Sequence, residues 1–137
     1  MAGFQTERRV EFADTDLEGM VHFARYLVYM ESAEHELLRA AGSAVTASHG
    51  GVRSHWPRVK AECEYLAPLR FGDRVEIEVE VLSRGRSSVT YEHTLRVGTT
   101  VVARGRVTAV HCVRGEDGAL QPAPIPGALA DALERWR

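Results

Sequence analysis

The chain is 137 residues long, 45% apolar and 26% charged, with a formal net charge of −2 at pH 7. That size suits a single domain, residues 1–137, with a core of its own, and the composition is that of a globular chain rather than a disordered or fibrous one. The near-neutral charge gives no electrostatic reason to expect nucleic acid or an acidic membrane surface as partner. No apolar run approaches the ~18–20 residues that would span a bilayer.

The first residues, Met1 to Arg9, lack the apolar core of a signal peptide. Arg8 to Ala13 reads as a short strand entering an acidic turn. Beyond the turn, Phe23, Tyr26, Leu27, Met30, Ala33, Leu37, Leu38 and Ala41 recur at spacings of three and four, which predicts a helix of about five turns stopped by Gly42. Its other face carries Arg25, Glu31, Ser32, His35, Glu36 and Arg39, with Glu31–His35 and Glu36–Arg39 as surface pairs. Glu34 lies beside the apolar stripe, where it would be partly buried against a partner the sequence does not name.

Ser43 to Gly51 is small and polar and reads as a loop. Period-two alternation then takes over. Val59, Ala61, Cys63 and Tyr65 face one way, with Arg58, Lys60, Glu62 and Glu64 facing the other. Val75 to Val81 and Val89 to Val97 follow, joined by a turn at Arg84-Gly85-Arg86-Ser87. A last long strand is predicted from Val101 to Arg114. Pro122, Pro124 and Pro126 bar regular structure from Gln121 to Gly127, and Ala128 to Trp136 reads as a short helix. Cys63 and Cys112 have neither CxxC nor metal-ligand spacing and read as buried free thiols of a reducing cytoplasm. Hairpin-linked strands beside one long helix argue for an α+β fold with a largely antiparallel sheet. One helix covers one face of such a sheet, so the edges and the other face call for solvent or a second subunit.

The chemistry-bearing stretch is Asp14-Thr15-Asp16-Leu17-Glu18-Gly19-Met20-Val21-His22-Phe23. It brings carboxylates and a glycine to the start of the helix, where backbone N–H groups lack intrahelical partners and the macrodipole favours negative charge. A carboxylate just upstream could attack a carbonyl, or activate water to do so, while the developing oxyanion rests on those N–H groups. Other readings of the same residues remain. Asp is a preferred helix cap, so the stretch alone fits a structural turn. A calcium loop fails, because the twelfth position from Asp14 is Arg25 rather than a bidentate Glu. Phosphate-binding glycine loops and a Gly-x-Ser-x-Gly elbow are both absent. His93 and His111 lie in strands and read as satisfied core or interface residues.

Three blocks, Phe12 to Tyr26, then Tyr29-Met30-Glu31, then Tyr65-Leu66-Ala67-Pro68-Leu69-Arg70-Phe71-Gly72-Asp73, together resemble the hotdog-fold thioesterases. Among these, the chain is most similar to the 4-hydroxybenzoyl-CoA thioesterase family of acyl-CoA hydrolases. The resemblance implies a hotdog fold: a long central helix wrapped by a five-stranded, mostly antiparallel sheet. It implies Asp16 as the catalytic carboxylate, nucleophile or general base. The Phe23 backbone N–H would be the oxyanion donor, and Gly19 would let the loop bring the two together. His22 stands beside them where many relatives carry an aromatic residue, as an acyl-group contact or a packing residue. Tyr26 and Met30 would line the acyl pocket, and Arg84, Arg86, Ser87 and Ser88 would meet the nucleotide end of coenzyme A, often across a subunit boundary. The implied substrate is an acyl-CoA, aryl or short to medium aliphatic, or the corresponding acyl carrier protein. The implied assembly is a homodimer or homotetramer without metal or bound cofactor. Two other classes stay open: a non-catalytic acyl-thioester-binding module, and a hotdog hydratase or dehydratase, which would need a His paired with an acid from another element.

Overall fold

The computed structural model describes residues 3–137; Met1 and Ala2, the head of the stretch inspected for a leader, lie outside the described residues. The elements run β1 (Phe4–Arg9), α1 (Arg25–Ala40), β2 (Ser48–His49), β3 (Val52–Arg53), β4 (Arg58–Tyr65) and β5 (Arg74–Arg84). They continue with β6 (Ser88–Val97), β7 (Thr100–Val110), β8 (Cys112–Arg114), β9 (Leu120–Pro122) and α2 (Gly127–Leu133). Five strands form one antiparallel sheet in the order β1-β5-β6-β7-β4.

The alternation in β5 explains which face is covered. Val75, Ile77, Val79 and Val81 are buried, and α1 lies over them through Tyr26, Met30, Ala33, Leu37 and Leu38. At Gly105 of β7 the helix side chain Met30 comes close to the sheet. A Cβ there would fall 2.4 Å from the Met30 Cε and 3.0 Å from the Glu62 carbonyl oxygen. Glycine at this position therefore sets how deep Met30 can sit. On the opposite face, charges alternate across strands, with Arg106 Nε 2.8 Å from Glu92 Oε2 and Arg96 Nη1 3.5 Å from Glu78 Oε1.

A buried polar cluster sits between helix and sheet. Glu34 is 1% exposed and His93 fully buried, and Glu34 Oε2 lies 2.8 Å from His93 Nε2, off the line of a well-formed hydrogen bond. Arg58 Nη2 donates to Glu34 Oε1. An isolated carboxylate at this depth would cost several kcal/mol, on the order of a buried ion pair broken on one side, so Arg58 supplies the counter-charge. Arg58 reaches inward because β4 carries a bulge. Arg58 pairs with Ala109 but Lys60 pairs with Thr108, which leaves Val59 as the extra residue. The strict alternation expected from the sequence placed Arg58 on the opposite face from Ala61 and Cys63; the bulge returns it to their face.

Other boundaries also differ from the sequence reading. The first strand is Phe4–Arg9, and Phe12–Asp14 is a 3-10 turn closed by Glu11 N donating to Asp14 Oδ2 at 3.0 Å. The helix begins at Arg25 rather than Phe23. Glu36 turns to Thr6 and Arg8 of β1 instead of pairing with Arg39. The long last strand breaks after Val110, and β8 then pairs with β9, so one proline of the run, Pro122, ends a strand. Ser48–His49 and Val52–Arg53 form a small hairpin about Gly50-Gly51 inside the segment read as loop. Cys112 is buried, but Cys63 is only half-buried because β4 is an edge strand; both are free.

Replacing Gly105 by Ala should destabilise the protein by about 1–3 kcal/mol in urea unfolding, through overpacking against Met30. Adding Met30→Leu, which shortens the colliding side chain, should recover part of that loss.

Candidate functional site

The acidic turn is a miniature hairpin. Thr15 pairs with Val21, Asp16 N donates to Met20 O at 2.8 Å, and Gly19 N donates to Asp16 O at 3.1 Å. Gly19 closes the turn at φ +77°, a conformation that costs other residues about 1–2 kcal/mol. His22 N donates to Asp14 O at 2.8 Å and closes the hairpin's base, and Val21 N donates to Leu69 O at 2.8 Å, fastening it, with the Met20–Arg70 bridge, to the segment after β4. Asp14 is fully engaged as a brace: its Oδ2 accepts the Tyr29 hydroxyl at 2.8 Å, and its Oδ1 lies 3.8 Å from Arg25 Nε.

Asp16 is held differently. Its Oδ1 accepts the Glu18 N–H at 2.9 Å and the Met20 N–H at 3.4 Å. Its Oδ2 receives no hydrogen bond among the described residues. One oxygen therefore fixes the side chain, and the other has no partner among the described residues. At the helix start, the Ala24 N–H donates to His22 Nδ1 at 3.1 Å and the Arg25 N–H to His22 O at 2.9 Å. The Phe23 N–H, just before them, donates to nothing among the described residues.

Asp16 and Phe23 line one open cleft of about 430 Å³, together with Met20, Val21, Tyr26, Tyr65, Leu66, Ala67 and Pro68. The Tyr26 and Tyr65 rings meet edge to face, 4.9 Å between centroids, and the Tyr65 hydroxyl donates to Phe23 O at 2.9 Å. Burial pushes the Tyr26 and Tyr65 phenols up, so both stay neutral at physiological pH. Burial likewise raises the Cys63 thiol, which makes it a poor thiolate beside the cleft.

The remaining residues singled out in the sequence are placed elsewhere. His22 is exposed, stacked on the Phe23 ring at 4.6 Å, and its Nδ1 is occupied in capping Ala24; it does not line the cleft. Met30 is fully buried against Gly105, in the core and not in the cleft. The Arg84–Ser88 hairpin lies at the far end of β5, roughly 30 Å along the strand at ~3.3 Å per residue. There Arg84 Nε is tied to Glu134 Oε1 at 3.0 Å, holding that carboxyl below the usual carboxylate range, while Arg86 is exposed. Ser87 O accepts the His111 N–H at 2.6 Å and Ser88 O the Gly85 N–H at 2.9 Å, so both serines hold the turn through their backbone. Among the described residues, no group of three or more His, Cys, Asp or Glu is gathered to hold a metal, and no helix is long and apolar enough to cross a membrane.

The family model for the thioesterase-like superfamily matches residues 10–133, a span that contains both the turn and the cleft wall. The chain belongs to this superfamily. It is 31% identical over 137 residues to a 1,4-dihydroxy-2-naphthoyl-CoA hydrolase of Synechococcus elongatus, covering 98% of this chain and 97% of that protein. It is 31% identical over 127 residues to the acyl-CoA thioester hydrolase YbgC of Escherichia coli O6:H1, covering 92% of each. Among solved structures it is similar to a gentisyl-coenzyme A thioesterase, with a TM-score of 0.81 at 27% identity over 95% of this chain and 99% of that one. The superfamily match covers the walls that sequence reasoning missed. Tyr65, Leu66, Ala67 and Pro68 carry part of the family resemblance in the sequence but are given no place in the site there.

Gly19→Ala should lower stability by about 1–2 kcal/mol in thermal or urea unfolding because of its φ. Gly127→Ala, in open space at the start of α2, should raise it by ~0.4–1 kcal/mol.

Proposed function

We propose that the chain is an acyl-CoA thioester hydrolase in which Asp16 Oδ2 provides the nucleophile or general base and the Phe23 N–H receives the oxyanion. The observation that carries this reading is the pairing of two uncommitted groups, one acceptor and one donor, on a single cleft within a turn fixed on both sides. In the nucleophilic route, Oδ2 bonds to the acyl carbon, the carbon–sulfur bond breaks, and the thiolate leaves and takes a proton from solvent; water then opens the mixed anhydride to free acid and the Asp16 carboxylate, returning a proton to solvent. In the general-base route, Oδ2 takes a proton from water as the water's oxygen bonds to the same carbon; the carbon–sulfur bond then breaks, and the leaving thiolate takes up that proton. In both, negative charge grows on the thioester oxygen, and a preorganised amide there is worth ~2.7–4 kcal/mol of barrier.

Coenzyme A must also be held along its length. In one chain the Arg84–Ser88 hairpin lies too far from Asp16 for that. β4, however, is an edge strand whose Val59, Tyr65 and neighbouring Leu66 remain exposed, and an apolar cavity of about 250 Å³ opens between it and α1. An antiparallel pairing of β4 with β4 of a second copy sets Tyr65 beside Arg58 of that copy. The other copy's hairpin then falls about three strand spacings away, roughly 15 Å at ~4.8 Å per strand. Homodimerisation would in this way complete a site for the acyl group and the nucleotide, with each sheet wrapping its own α1. The hydratase reading has a His–acid pair in His93 and Glu34, but His93 is fully buried and lines none of the cavities described.

Asp16→Asn keeps the Oδ1 acceptor that closes the turn but removes the charge. It should lower thiol release from an aryl- or short-chain acyl-CoA by about 10²–10⁴-fold, with substrate binding and melting temperature unchanged. Turnover close to that of the parent protein would remove Asp16 from the chemistry.

A further inference from the structure

The Phe23 amide sits in a segment with little of its own to hold it. Ala24, at the helix cap position, has no side-chain cap, and the amides of Ala24 and Arg25 are satisfied by His22 alone. The peptide that carries the Phe23 N–H is nonetheless bracketed. On one side, His22 N is pinned to Asp14 O at 2.8 Å. On the other, Phe23 O accepts the Tyr65 hydroxyl at 2.9 Å. Among the described residues, this is the side-chain hydrogen bond that reaches Phe23 from outside the segment 22–25.

Tyr65 is suited to the task because its own position is fixed. It pairs with Ala103 at the end of β4, and the next two amides, Leu66 N and Ala67 N, both donate to Val102 O at 2.9 and 3.2 Å. Its ring is braced edge-on against Tyr26 of α1. The sheet thus reaches across the cleft to the helix start through one hydroxyl. Tyr65 is 46% exposed, so water competes for that bond until a ligand fills the cleft.

Resting on the thioesterase reading above, we propose that Tyr65 is a positioning residue, its hydroxyl holding the Phe23 carbonyl, one peptide on from the Phe23 N–H, so that this N–H points at the developing oxyanion. An acyl group that covers Tyr65 shields this bond and so firms the donor that stabilises its own transition state. The hydroxyl touches no reacting atom, and its contribution is to aim another group. A misaimed donor loses part of the stabilisation that preorganisation provides.

The test is Tyr65→Phe, which keeps the ring on the cleft wall and removes only the hydroxyl. The kcat for thiol release should fall about 10-fold or more, with KM within about twofold of the parent and the melting temperature preserved. Tyr65→Leu, which removes the ring as well, should also raise KM. Amide hydrogen exchange read by NMR on the full-length protein adds a measure that needs no turnover. In Tyr65→Phe the Phe23 and Ala24 amides should shift and exchange faster, while the middle of α1 keeps its protection. If Asp16→Asn is inactive but Tyr65→Phe turns over at the parent rate, the positioning role is overturned and the hydrolase reading stands. If the parent protein releases no thiol from any acyl-CoA, the hydrolase reading falls, and unchanged Phe23 exchange in Tyr65→Phe would overturn the positioning role as well.

Discussion

The structure depends on the clamp at the base of the acidic turn, where His22 N meets Asp14 O and Val21 N meets Leu69 O. These two bonds convert a flexible acidic loop into a hairpin of fixed height. They also fix where the chain enters α1. Without them, the Asp16 carboxylate and the helix start would be adjacent in sequence but independent in space. With them, an acceptor oxygen and a donor amide are delivered to one cleft. The free energy of each bond is modest, ~0.5–1.5 kcal/mol, and its consequence is geometric rather than a matter of overall stability.

Around the clamp, the two carboxylates of the turn have separate duties. Asp14 spends both oxygens on neighbours, the Tyr29 hydroxyl and the Arg25 guanidinium, which tie the turn to α1. Asp16 spends one oxygen on the turn and leaves the other open. The division follows from position: Asp14 faces the helix, whereas Asp16 caps a tight reversal at the mouth of the cleft. The Glu34–Arg58–His93 cluster is a third charged feature, and its depth makes it a fastener of α1 to β4 and β6. It ties the helix at mid-length, while Tyr65 ties it at its start.

Much of this was legible in the sequence where a local rule governed. Period two gave the four later strands of the main sheet, period 3.6 gave α1, and Gly19 marked the reversal that lets Asp16 bond its own turn. The parts that were not legible depend on contacts between distant residues. Nothing near Arg58 announces the bulge at Val59, because an extra residue changes the facing of a strand without changing its composition. Met30 has the spacing of a core residue and is given the acyl pocket only by the resemblance; its place in the core is fixed by the close approach of Gly105, 75 positions later. The sequence leaves His22 as either an acyl-group contact or a packing residue, and its Nδ1 takes the Ala24 amide. The superfamily resemblance pointed to one region, and the hydrogen bonds show which groups in it have no partner among the described residues.

The central claim is that one carboxylate oxygen and one main-chain amide converge on the same acyl carbon. A crystal structure of the protein with a non-hydrolysable acyl-CoA ketone, whose methylene replaces sulfur, tests it most directly. The account predicts the ketone oxygen within hydrogen-bonding distance of Phe23 N and its carbon about 3–3.5 Å from Asp16 Oδ2 or from a water that Oδ2 holds. A ligand seated in the cleft with its carbonyl turned from both groups would contradict it.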